Sequence, residues 1–143
     1  MRLRVYVIEP YEAIRDSLAE FIVMLGHEAV ALAEPAGCPH YGGPGQRCSR
    51  ETPCGDAIIL GQTLPGLRGV ELIERRIAGG CKGSVANVAM ICEPWSAKDG
   101  RRAGELGFRI FETPLRLDEI AAWLAVVAAR IPPGRRLAPR DGG

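Results

Sequence analysis

The chain has no apolar run approaching the roughly 18 residues that a membrane span requires, so no membrane partner is expected. It has no excess of charge of one sign. The 18 lysines and arginines against 17 acids leave a net charge of +1, which gives no electrostatic footprint for nucleic acid. No leader is visible either: Met1-Arg2-Leu3-Arg4-Val5 enters a strand pattern at once, without an apolar h-region or a small-residue cleavage site. A cytoplasmic location is the default that follows. A glycine-rich phosphate loop, a Ser-His-Asp set and a basic recognition helix are missing as well, and no enzymatic activity is expected.

What is present fits one domain: 143 residues, 47% of them hydrophobic, suffice to bury a core without staples. Leu3 to Ile8 reads as a strand, and Ile14, Leu18, Phe21, Ile22 and Leu25 recur at helical spacing before Gly26 stops them. His27 to Ala33 is a short second strand. Ala57 to Leu60 is a continuous apolar run suited to a strand buried on both faces, and Val70, Leu72, Ile73 and Ile77 follow at helical spacing. Val85 to Cys92 reads as another strand, Ser96 as the N-cap of a short helix ending at Gly107, and Phe108 to Phe111 as a last strand. Leu117, Ile120, Ala121, Leu124, Val127 and Ala128 give the final helix its apolar face. Strands alternating with helices argue for an α/β fold with a parallel sheet.

The stretch between Asp56 and Leu72, with its apolar strand, Pro65-Gly66 and Gly69, resembles the third strand, loop and third helix of response-regulator receiver domains. The resemblance covers about Leu3 to Ala129. It implies a doubly wound, CheY-like five-stranded sheet in the order 2-1-3-4-5, with functional loops at the carboxyl ends of the strands. The second helix of that fold has no counterpart. Glu34 to Gly55 holds four prolines, five glycines and three cysteines with almost no aliphatic residue, and is read as an insert. Residues 1–131 are assigned to the receiver-like domain and 132–143 to a flexible basic tail.

Receiver phosphorylation, by the same resemblance, needs an aspartate nucleophile, magnesium held by further carboxylates, a lysine and a hydroxyl; the cation and lysine offset the phosphoryl charge. Here the acidic pair is Glu9-Pro10, the nucleophile's position is Gly61, the hydroxyl's is Cys92 and the lysine's is Thr113, followed by Pro114. No magnesium is expected, and Glu9 reads as a solvated carboxylate at a strand end. The chain is therefore expected to be a stand-alone pseudo-receiver of the two-component type, unphosphorylated and acting on a protein partner through the fourth helix, fifth strand and fifth helix. Trp95 and Phe111 are the candidate partner contacts, with packing as their alternative role.

Five cysteines is an odd count, and disulfides are not the first explanation in a chain of this kind. Cys38, Cys48 and Cys54 match no paired C-x-x-C knuckle. In the implied sheet order, however, Cys54 and Cys81 precede neighbouring strands at the amino edge. With Cys38 and Cys48 they are a candidate closed site for zinc, His40 being a possible substitute ligand, or for an iron-sulfur cluster. A redox pair and unconnected thiols are the alternatives. A protein in which this site senses metal or oxidant is the second functional reading. A third, with Cys92 as a catalytic nucleophile, is poor because neither histidine is placed to serve it.

Overall fold

A computed structural model describes residues 1–140 except Trp95. The chain runs β1 (Arg4–Ile8), α1 (Glu12–Met24), β2 (Glu28–Leu32), β3 (Ala57–Gly61), β4 (Thr63–Leu64), β5 (Leu67–Arg68), α2 (Gly69–Ala78), β6 (Val88–Cys92), α3 (Ala97–Leu106), β7 (Arg109–Glu112) and α4 (Leu117–Arg130). Five strands form one parallel sheet in the order β2-β1-β3-β6-β7. The remaining two, β4 and β5, form a small antiparallel hairpin around Pro65-Gly66. Gly66 has φ +79°, which the third position of a type II turn demands and a side chain resists. Among the described residues no helix is long and apolar enough to cross a membrane.

The strands alternate their side chains between two cores. Val5, Val7, Ile59, Ile91 and Phe111 pack with Leu18 and Ile22 of α1 and with Ile120, Leu124 and Val127 of α4. Ile8, Leu60, Val88, Met90 and Cys92 face the other way, against Val70, Leu72 and Ile73 of α2 and Ala103 of α3. Burial on both faces is why these strands read as continuous apolar runs.

The sixth strand starts later than its pattern suggests: Val85–Asn87 is a 3₁₀ turn, which Ser84 caps by accepting from the Ala86 amide at 3.2 Å. Between β2 and β3 there is no α-helix, only a 3₁₀ turn at Pro39–Gly42. The insert nonetheless has defined attachments. His40 is 1% exposed and packs where a β-carbon on Gly79 would overlap its ring. The Cys48 amide donates to the Gly79 carbonyl at 3.2 Å, and the Tyr41 hydroxyl donates to the Pro65 carbonyl at 2.7 Å.

The basic tail makes defined contacts as far as Arg140. Arg135 donates to both carboxylate oxygens of Asp56, at 2.9 and 2.7 Å, and to the Arg2 carbonyl at 2.8 Å. The Ala138 amide donates to the Pro53 carbonyl at 2.7 Å, and Arg140 pairs with Glu28 at 3.1 Å. Asp56 is the cause. Its side chain is 1% exposed, and a buried carboxylate requires a cation. Burial acts to raise its pKa, but Arg135, the Arg4 amide and the Arg4 charge outweigh this and hold it below the ordinary value.

Candidate functional site

The ends of β1, β3, β6 and β7 bring Glu9, Gly61, Cys92 and Thr113 to the carboxyl edge of the sheet. Glu9 is 4% exposed, not the solvated carboxylate that its place in the sequence suggests. The reason is space. A β-carbon on Gly61 would stand 2.5 Å from Glu9 Oε2, so the carboxylate of Glu9 lies where a side chain at 61 would begin. The Tyr11 amide donates to Glu9 Oε1 at 3.1 Å, and Arg15 donates to the Glu9 and Pro10 carbonyls at 3.0 and 3.3 Å. Burial raises the pKa of Glu9 against the opposing pull of the Tyr11 amide and the Arg15 charge. Pro10 offers no side-chain ligand.

The loops around this edge are tied by a polar network centred on Gln62. Its amide nitrogen donates to Ser96 Oγ and, at 2.8 Å, to Asp99 Oδ2, while its oxygen accepts from the Glu93 amide at 3.2 Å. Asp99, 6% exposed, also pairs with Arg68. Thr113 Oγ1 donates to Glu93 Oε2 at 2.9 Å, which joins the loop after β7 to the loop after β6. The Thr113-Pro114 peptide is cis. Cys92 is 2% exposed; burial, then Glu112 and Glu93, push its thiol up to about 11, so the nucleophilic thiolate is disfavoured.

Gln62, Glu93, Arg68 and Asp99 were not legible as site residues. Asp99 had a weak signal, since Ser96-x-x-Asp99 has the spacing of a capping box, but the Ser96 side chain makes no cap hydrogen bond and accepts from Gln62 instead.

Phe111 is no exposed partner contact. It is 3% exposed and meets Trp123 edge to face, with ring centroids 5.9 Å apart. Arg109 lies on the same face of β7, its guanidinium 5.0 Å from the Phe111 ring centroid, and Arg109 and Glu112 are both exposed. Trp95, the other candidate, lies outside the described residues. On the same flank Leu117 and Val126 of α4 are 40% and 48% exposed.

The thiols of the insert do not assemble into the expected tetrahedral centre. Among the described residues no three His, Cys, Asp or Glu side chains converge on a position for a metal ion. Arginines take their place: Arg50 donates to Cys54 Sγ, and Arg76 donates to Cys81 Sγ at 3.0 Å. His40 is turned inward, with Nδ1 bonded to the Gln46 carbonyl at 3.0 Å. A carbonyl only accepts, so Nδ1 carries the proton. Cys38 still feels its neighbours: burial raises its thiol pKa against Arg76, and Cys81 and Cys54 add to the rise.

No protein-family model and no curated protein matches the chain in sequence. Solved structures do. Full-length FixJ from B. japonicum superposes with a TM-score of 0.72 at 21% identity, over 93% of this chain; the match spans only 61% of FixJ. A putative response regulator from Chloroflexus aurantiacus gives 0.72 at 16% identity, over 91% of this chain and 100% of its own. The receiver domain of the Francisella response regulator 1452 gives 0.71 at 14% identity, over 90% and 98%. The fold is that of response-regulator receiver domains.

Proposed function

We propose that the chain is a pseudo-receiver: a two-component signalling module that takes up no phosphoryl group on aspartate and acts by binding another protein. The observation that carries this reading is the Glu9 carboxylate standing 2.5 Å from the β-carbon position of Gly61, at the place where receivers keep their nucleophile. With glycine at the acceptor's position, Pro10 beside Glu9 and Thr113 where receivers have lysine, a phosphoryl group has neither its aspartate acceptor nor its lysine partner. The Gln62 network supplies loop-to-loop ties that do not depend on phosphate. The face of α3, β7 and α4, with Leu117 and Val126 exposed, is where the partner docks in this reading.

Incubation with acetyl phosphate and magnesium, followed by intact-mass measurement, tests the chemistry: the expected mass is unchanged, and a phosphoryl adduct on an aspartate overturns the reading. A photo-crosslinking residue at Val126 tests the docking. It should trap a specific protein that the same residue at Asp16 of α1 does not.

A second reading, thiol or metal sensing through the insert, draws support from Cys38 and Cys54 lining one cavity and from the effect of Cys81 and Cys54 on the Cys38 thiol. Zinc or a cluster would require Arg50 and Arg76 to release two of these thiols. Metal analysis and thiol titration on one anaerobic sample decide it, since about one metal per chain with protected thiols favours it and five freely titrating thiols remove it.

A further inference from the structure

The face of the sheet beneath the insert is incompletely covered. Tyr6 stands in register between Val30 and Ile58, so these three side chains form a row across β2, β1 and β3. In a doubly wound sheet such a row is normally sealed by a helix, yet Tyr6 and Ile58 on the two inner strands are only partly buried. The insert crossing them has no apolar face with which to seal them. What remains is a cavity of about 160 Å³, floored by this row together with Ile8 and Leu72 and rimmed by Cys38 and Cys54.

Its polar lining has one sign. Arg50, Arg76 and Arg140 reach it and no carboxylate does. Arg140 is shared with Glu28, and Arg50 with the Cys54 thiol. Arg76 donates through Nη2 to Cys81, but its Nε is buried without a hydrogen-bond partner among the described residues, so it lacks an acceptor. The volume limits that acceptor. A cavity of about 150 Å³ holds a molecule the size of benzene, whereas drug-sized ligands need about 300 Å³ or more.

We propose that this cavity is a binding site for a small organic anion with a single-ring apolar body, of the aromatic carboxylate class, its ring over Tyr6 and Ile58 and its carboxylate on Arg76. The site belongs to the insert and the sheet, and stands or falls independently of the phosphorylation edge.

Benzoate is the probe, and the full chain the target. Calorimetric titration should give saturable binding of one benzoate per chain. Bound benzoate should slow alkylation of Cys38 and Cys54 several-fold while Cys48, outside the cavity lining, reacts at its former rate. Arg76→Gln should weaken binding about tenfold or more, the value of a lost charged hydrogen bond. Ile58→Phe, which fills the cavity from its floor, should abolish the protection in a chain that still unfolds cooperatively, and covers the case in which Arg76→Gln does not fold. Absence of saturation overturns the site. So does equal slowing of Cys48, equal affinity for toluene, or equal protection by inorganic phosphate.

Discussion

Glu9 and Gly61 compete for one volume, because any side chain at 61 has to displace the Glu9 carboxylate. Gly61→Asp is therefore expected to lower stability by about 1–3 kcal/mol, the range for overpacking, and not to restore phosphoryl uptake. In urea titrations, Glu9→Ala in the same background should recover much of that loss, a coupling that independent sites would not show. The charge on Glu9 makes a separate prediction. Its pKa is raised in the folded chain, so folding is favoured while the group is protonated, and that advantage is lost as pH rises through the folded value. Glu9→Gln should accordingly be more stable than the parent near pH 7, with the difference vanishing below about pH 4, where the unfolded carboxyl is protonated as well. The receiver resemblance singles out Gly61 by its spacing from Pro65 and Gly69. The Glu9 carboxylate beside it has no such signal, because Glu9 reaches position 61 only once β1 and β3 are paired.

Apart from β6, which starts three residues later than its pattern, and the β4–β5 hairpin, which the apolar pattern does not show, the strands and helices were legible to within a residue or two because burial on both faces leaves continuous apolar runs and helical spacing between them. The insert was legible only as something that is not a helix. How it is held depends on Gly79, whose lack of a β-carbon admits the His40 ring beside the end of α2, and no local pattern in Glu34 to Gly55 announces that. Gly79→Ala should thus expel His40 and loosen the insert while leaving the sheet intact. Hydrogen exchange should rise across 34–55 and stay unchanged in β1 and β3; unchanged exchange in the insert would show that His40 is not what holds it. The thiol geometry is a further case. Placement of Cys54 and Cys81 before neighbouring strands followed from the sheet order, but Arg50 and Arg76, which take the thiols, carry no motif that marks them as their partners.

Taken as one body, the chain is closed along the amino edge of the sheet by residues 134–140, a segment whose composition suggests only a frayed end. Asp56 cannot be read as buried from the sequence, and hence neither can its need for Arg135. Arg135→Met leaves that carboxylate without its bidentate cation and should cost about 3 kcal/mol, the lower part of the range for breaking a buried pair. The pH dependence has the opposite sign to that of Glu9. The pKa of Asp56 is lowered in the folded chain, so its contribution is present above the unfolded value and is lost as pH falls through the folded one. The stability gap between parent and Arg135→Met, measured by urea unfolding, should shrink below about pH 4. A gap constant with pH would mean that Arg135 acts through the Arg2 carbonyl alone.

The occupied space beside Gly61 also sets the order in which this edge could be rebuilt. The atoms that stand there are the far end of the Glu9 side chain and not backbone, so a substitution at 61 asks Glu9 to turn away and give up its bond from the Tyr11 amide. An engineer who wants a carboxylate at 61 therefore changes residues 9 and 61 together, and only then the ties of Gln62 and Thr113 that join the surrounding loops.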